Sequence, residues 1–199
     1  MIKFYNIDQN SEIWDEVRKG KFTASSFSDL FMDKKTSGYQ KAIIKVAYER
    51  VTGESEESYS NKWMQRGHER EPIAVENYEM LTFNQTENGG FYEYSDFIGA
   101  SPDRKIVGQN GGLEIKCPSF QVYHEYLETK RIPKSYFWQI HGQLLCTGWD
   151  FIDYMPFSSP YLKQILVRVE RDEAIINQLK ERLEVCVEEV RQMIERIKQ

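Results

Sequence analysis

Two short strings carry the residue types with the most chemistry in this chain: Ala100-Ser101-Pro102-Asp103 and Gly112-Leu113-Glu114-Ile115-Lys116-Cys117-Pro118. Successive side chains of an extended strand point to opposite faces, so Glu114 and Lys116 share one face while Ile115 turns into the core. The segment Gly108-Gln109-Asn110-Gly111-Gly112 is rich in turn formers and can fold the chain back as a hairpin, bringing Asp103 against the strand that carries Glu114. Two carboxylates beside one ammonium suit metal-assisted hydrolysis of a phosphodiester. Hard cations such as Mg²⁺ take oxygen ligands, and the lysine stabilises charge developing on phosphorus or orients the attacking water. An isolated Asp/Glu-x-Lys match is also common on exposed strands, so the elements around it must decide.

Composition bounds the rest. The chain has 199 residues, 40% hydrophobic and 14% aromatic, enough for one well-cored domain spanning 1–199. Its net charge of -5 is unusual for a chain that would hold nucleic acid, because that affinity comes mostly from Lys and Arg meeting phosphates. Any such surface must be a local basic patch. Cys117, Cys146 and Cys186 are far apart without a CxxC pair, and His68, His124 and His141 are equally scattered, which argues against a zinc site and for reduced thiols. No run approaches the roughly 18 apolar residues of a membrane span, and Met1 to Asn10 lacks the order of a signal peptide. A cytoplasmic protein with no membrane partner is expected.

The elements that must position these residues follow from periodicity. A short helix over Ser11 to Lys19 carries Ile13, Trp14 and Val17, and Thr23-Ala24-Ser25-Ser26 offers an N-cap for a second through Phe31. A third runs from about Tyr39 to Val51 with Ile43, Ile44, Ala47 and Tyr48 inward. A polar loop at Glu54 to Ser58 precedes a helical pattern from Lys62 to about Thr82, which Pro72 must start or kink. Phe91 to Ala100, Lys105 to Val107 and Leu113 to Cys117 read as strands of one sheet, with another strand at Gln164 to Val169. Ser135 to Leu144 reads as a buried helix with Gln139 and Gln143 on one face. The C-terminal segment places Ile176, Leu179, Leu183, Val187, Val190, Ile194 and Ile197 along one stripe. The class is α/β, a central mixed sheet flanked by helices.

Taken together, Gly-x-Ser-Pro-Asp followed by Leu-Glu-Ile-Lys-Cys-Pro resembles the PD-(D/E)XK nuclease superfamily, in particular its lambda-exonuclease and viral-recombinase (YqaJ-like) branch. The similarity runs from about Trp14 to the C-terminal helix. It implies that Glu71, four residues after Gly67, completes a metal site with Asp103, Glu114 and the backbone carbonyl of Ile115; without it, Glu71 is an ordinary acidic residue near a helix start. It implies that Gln139 faces the active site, touching a substrate phosphate or ordering the water's surroundings, although Gln139 also suits a plain core helix. The string Trp14-x-x-x-Arg18-x-Gly20-x-x-Thr23-Ala24-Ser25 is similar to the branch's N-terminal motif, implying a terminal 5'-phosphate pocket of Arg18, Ser25 and Ser101. Arg18 is otherwise a surface basic turn. Met64 matches an apolar wedge at the duplex end, and is otherwise a core methionine. Arg104 stands where many relatives have glycine, and Pro72 directly follows the helical glutamate. The expected activity is Mg²⁺-dependent digestion, with Mn²⁺ as a substitute and one or two ions per site, of the 5' strand of linear double-stranded DNA. The alternatives are a structure-specific endonuclease or resolvase and a non-catalytic DNA-end-binding protein. A homotrimeric ring and a single-strand annealing partner are implied as well. In such a ring Arg18 to Lys21, Lys34 and Lys35 would line the channel of an otherwise acidic assembly.

Overall fold

The computed structural model describes residues 1–55 and 66–199 in full and the backbone of 62–65. Part of the expected loop Glu54 to Ser58, and the side chain of Met64, lie outside the described residues. The strands form two sheets. One has four strands in the order β1 (Lys3–Tyr5), β4 (Phe91–Ser95), β5 (Ile98–Ala100), β2 (Phe22–Thr23); the other has five, β3 (Thr86–Asn88), β6 (Arg104–Ile106), β7 (Gly111–Lys116), β8 (Phe151–Pro156), β9 (Val167–Glu170). The expectation that Phe91 to Cys117 contributes to a single sheet is therefore corrected. Phe91 to Ala100 is a hairpin turned at Asp96 and Phe97, and the chain leaves that sheet through Ser101-Pro102-Asp103 to begin the other.

The expected β6–β7 hairpin is present, antiparallel, with Arg104 opposite Leu113. β7 and β8 are parallel, so a long crossover must join them. It consists of α5 (Phe120–Thr129) and α6 (Lys134–Thr147). Residues Gln139 to Cys146 of α6 are all buried, because the helix packs on β4, β5 and β8 as well as on the N-terminal and C-terminal helices. Gly142 lets Phe27 approach so closely that an added Cβ would lie 2.4 Å from its ring. At β7 the alternation is complete: Leu113 and Ile115 enter a small core with Ala74, Tyr78, Ile106, Phe151, Met155 and Phe157, while Gly112 meets Trp149 of the larger core on the other face.

Among the remaining helices, α1 (Glu12–Arg18) is capped by the Ser11 hydroxyl, which accepts the Trp14 N–H. The Thr23 to Phe31 segment begins as a 3-10 turn over Ala24–Ser26 before α2 (Phe27–Leu30). In α3 (Ser37–Thr52) the inward face differs from the expected one. Tyr39, Ile43, Val46 and Ala47 are buried, whereas Ile44 and Tyr48 lie outward. Glu49 is buried with them, and its carboxylate accepts the Gly20 N–H at 2.7 Å. α4 (Lys62–Thr82) continues past Pro72, which lies inside the helix and does not start it. Among the described residues no helix is long and apolar enough to cross a membrane.

α7 (Glu173–Lys198) starts at Asp172, whose side chain accepts two backbone N–H groups, and buries Ile176, Leu179, Leu183, Val187 and Val190 against α3 and α6. The stripe serves its own domain along most of its length; Ile197 is 55% exposed. We expect Leu179→Ala to destabilise the fold by about 2–5 kcal/mol and Ile197→Ala by no more than about 0.5 kcal/mol. Urea midpoints for the two variants measure this, and equal losses would contradict the packing.

Candidate active site

Asp103, the last residue of the crossing between sheets, is brought to β7 as the hairpin requires: its Oδ2 accepts the Ile115 N–H at 2.7 Å. The Gln9 amide, from the β1–α1 loop, lies 3.5 Å from Oδ1 and donates to the Pro102 carbonyl at 3.1 Å. Gly89 permits this close assembly, since a Cβ there would sit 1.9 Å from the Pro102 oxygen. Glu114 is 1% exposed, and three donors meet its carboxylate. Lys116 Nζ lies 2.6 Å from Oε1, Gln139 Nε2 donates to Oε1 at 2.6 Å, and Gln143 Nε2 donates to Oε2 at 2.5 Å. Gln139 therefore holds a carboxylate here. Gln143 holds the other oxygen, a role that sequence reasoning missed although the i, i+4 spacing had put both amides on one face.

Glu71 comes from α4, the helix that covers Ile115. It lines a cleft of about 280 Å³ with Asp103, Arg104, His68, Pro72, Asn88 and the Asp8 to Asn10 loop. Burial, then the charge of Glu114, raise the Glu71 pKa, while His68, Arg104 and Lys116 oppose the rise. Asp103 is pushed well above the usual carboxylate range by burial and by repulsion from Glu114 and Glu71. Burial also works against the Lys116 ammonium, but Glu114 and Asp103 outweigh it and hold its pKa above the normal lysine value. Three neighbouring carboxylates, two of them with raised pKa values, share one lysine and make a hard, oxygen-rich donor set, the chemistry that suits a divalent cation. Gln143 Oε1 is buried without a partner among the described residues, a spare acceptor next to Glu114. The carboxylates do not close a cage unaided: among the described residues no group of three His, Cys, Asp or Glu side chains is already placed to hold an ion.

The structure brings Arg18 and Ser101 together. The Arg18 guanidinium stacks 3.6 Å from the Trp14 ring and its Nη1 donates to Ser101 Oγ at 3.3 Å; Trp14 Nε1 donates to the same oxygen at 2.9 Å. Burial lowers its pKa to about 10, which leaves it charged at neutral pH. Arg18 is no loose surface turn. Ser25 is exposed and its hydroxyl meets Thr23 Oγ1 at 3.2 Å. Lys34 is paired with Glu189 of α7, Lys21 with Glu93 and Lys19 with Glu16, so the structure does not gather them at the cleft; Lys35 is exposed. Arg104, one of the two departures from the resembled pattern, bonds Thr86 and lines the cleft.

With that geometry established, residues 13–150 match the family described as YqaJ-like viral recombinase domain. The chain belongs to the YqaJ-like viral recombinase family. Among solved structures it is similar to the alkaline exonuclease LHK-Exo from Laribacter hongkongensis, at 30% identity and a TM-score of 0.86 over 94% of this chain and 96% of that one. A second structure of that protein, in complex with dAMP, gives 31% identity and a TM-score of 0.87 over the same shares. The phage-related exonuclease from Haemophilus somnus 129PT shares the fold at 17% identity and a TM-score of 0.65, over 89% of this chain. Comparison with curated proteins gives no match. The YqaJ-like match includes Asp103, Glu114, Lys116 and both glutamines.

The two amides on Glu114 generate a pH-dependent expectation. Gln143→Glu sets a second buried carboxylate against Glu114, so one of the two must keep its proton and its folded pKa rises above the unfolded value. Stability from such a group is present below the unfolded pKa and lost as pH rises through the folded one. The deficit of the variant against wild type should be smallest near pH ~4 and grow toward pH ~8, around the ordinary carboxylate pKa values. Urea midpoints at the two pH values check this; a deficit that shrinks as pH rises would remove the amide–carboxylate contact from the account.

Proposed function

We propose that this chain is a metal-dependent deoxyribonuclease that digests the 5' strand of linear double-stranded DNA and leaves 3' single strands for recombination. One observation carries the reading. Lys116 and the Asp103 and Glu114 carboxylates converge on one hairpin, beside Glu71, in a fold shared almost end to end with an alkaline exonuclease. Asp103, Glu114, Glu71 and the Ile115 carbonyl would hold Mg²⁺ or Mn²⁺, one or two ions. When bound, such an ion lowers the pKa of a water and polarises the phosphoryl oxygens.

The protein's own groups do the remainder. Gln139 and Gln143 fix the Glu114 carboxylate in one orientation, so that its oxygens need no reorganisation when substrate arrives. Lys116, kept protonated by its acidic neighbours, meets the negative charge that builds on the scissile phosphate. Arg18, stacked on Trp14 and bonded to Ser101, presents a guanidinium held in place beforehand for a terminal 5'-phosphate, with Ser25 as a further member of that pocket and Met64 as the apolar wedge at the duplex end. A trimeric ring and handover of the product strand to a single-strand annealing protein remain part of the proposal on family grounds.

Incubation of linear and covalently closed duplex with Mg²⁺ tests the assignment: linear DNA should be consumed, closed circles spared, and EDTA should stop the reaction. Lys116→Ala should cut turnover by at least about 100-fold while DNA is still bound, as expected for a transition-state contact. Rapid cutting of closed circles would favour a structure-specific endonuclease, and a wild type that binds ends without cutting would leave only an end-binding protein. For the pocket, 5'-phosphorylated ends should be digested faster than 5'-hydroxyl ends, with Arg18→Ala abolishing the difference. Equal wild-type rates on the two ends would dismiss it.

A further inference from the structure

The acidic chain must hold a polyanion, yet the N-terminal cations Lys19, Lys21 and Lys34 sit in ion pairs, as do Lys105, Arg168, Arg171 and Arg191. We propose that the α5–α6 loop, through Lys130, Arg131 and Lys134, is the grip on the backbone phosphates of duplex DNA. This rests on the nuclease reading above. All three side chains are exposed, and none has an ion pair with a described residue. The exposed acids nearest in sequence, Glu125 and Glu128 on α5, are not paired with them either.

The loop is built to hold its cations outward. Lys130 ends α5 in the left-handed conformation, φ 50°, with its N–H donated to the Tyr126 carbonyl at 2.8 Å. Ile132 packs into the main core, and Pro133 stiffens the entry to α6. Rooted in this way, the loop adjoins both parts of the site. The Tyr136 ring, two residues beyond Lys134, lies 5.2 Å from Lys116 Nζ. The Ser135 carbonyl, one residue beyond Lys134, accepts the Ser28 hydroxyl of α2, the helix that follows the turn carrying Ser25. Five residues reach at most about 18 Å when extended, and duplex DNA carries one negative charge per roughly 1.7 Å of its axis. A duplex laid across this edge therefore presents several phosphates within reach of three cations, and their contribution is independent of base sequence.

The test is the salt dependence of binding to linear duplex, measured by fluorescence anisotropy in Ca²⁺ for wild type, Lys130→Ala/Arg131→Ala/Lys134→Ala and, as a control, Lys41→Ala, an exposed lysine of α3. Each phosphate contact contributes about 0.9 to the slope of log K against log salt. The triple variant should thus lose about 2 to 3 units of slope and bind on the order of 100-fold more weakly at 0.1 M salt. Lys41→Ala should match wild type. A triple variant with unchanged slope overturns the grip, and so does uniform weakening without a slope change, which would mean the residues act through folding or through a protein partner. Lys134→Glu alone, expected to weaken binding by at least about tenfold, keeps the question decidable if the triple variant does not fold. Wild type that fails to digest linear duplex removes the nuclease reading itself, whereas digestion by wild type with an unchanged variant slope removes only the loop.

Discussion

A carboxylate sealed from water must be met by donors, or it costs several kcal/mol and loses its charge. Glu114, 1% exposed, is met by three: one ammonium from its own strand and two amides from α6. Much of the architecture follows from that requirement. The amides are four residues apart, so α6 must be helical from Gln139 to Gln143 and must present that face to β7. For α6 to reach β7 it must run buried between the two sheets, which explains why eight consecutive residues of the helix are inaccessible and why Gly142 gives way to Phe27. The parallel pairing of β7 with β8 provides the crossover length in which such a helix fits.

The same constraint clarifies what could be read from residues alone. Alternation along Leu113 to Lys116 and the glycine-rich turn before it are local signals with a fixed period, and they located the hairpin, the facing of Glu114 and Lys116 and the approach of Asp103. Gln139 was legible as a residue facing the site, but its attachment to Glu114, and the whole role of Gln143, depend on where a helix docks, which no local period encodes. The split of Phe91 to Cys117 between two sheets was hidden for a related reason: strands of two or three residues, such as β1, β2 and β3, are too short to show the alternation needed to see them. On α3, the apolar types at Ile44 and Tyr48 suggested the wrong face, and the burial of Glu49, bonded to a distant glycine, is a tertiary contact that no local pattern announces.

Charge shows the same dependence on tertiary context. A count of lysines near the N-terminus predicts a basic surface, yet Lys19, Lys21 and Lys34 are each taken up by a glutamate, one of them on α7, about 155 residues away. Arg18 goes the other way. Its sequence neighbourhood suggests an exposed turn, and stacking on Trp14 with a bond to Ser101 makes it one of the more constrained cations of the molecule. Whether a cation is available to an anion is a property of its neighbours in space.

The passage of the chain from one sheet to the other occupies only Ser101, Pro102 and Asp103, with Ser101 facing Trp14 and Arg18 and Asp103 facing β7. A species in which only one sheet has formed therefore has one of these two residues in place and not both. The complete site therefore depends on the docking of the two sheets on each other, a contact between segments distant in sequence. Partly folded molecules, during synthesis or after thermal opening, would carry all the residues of the site without its geometry, so any hydrolytic capacity would appear only with the finished fold.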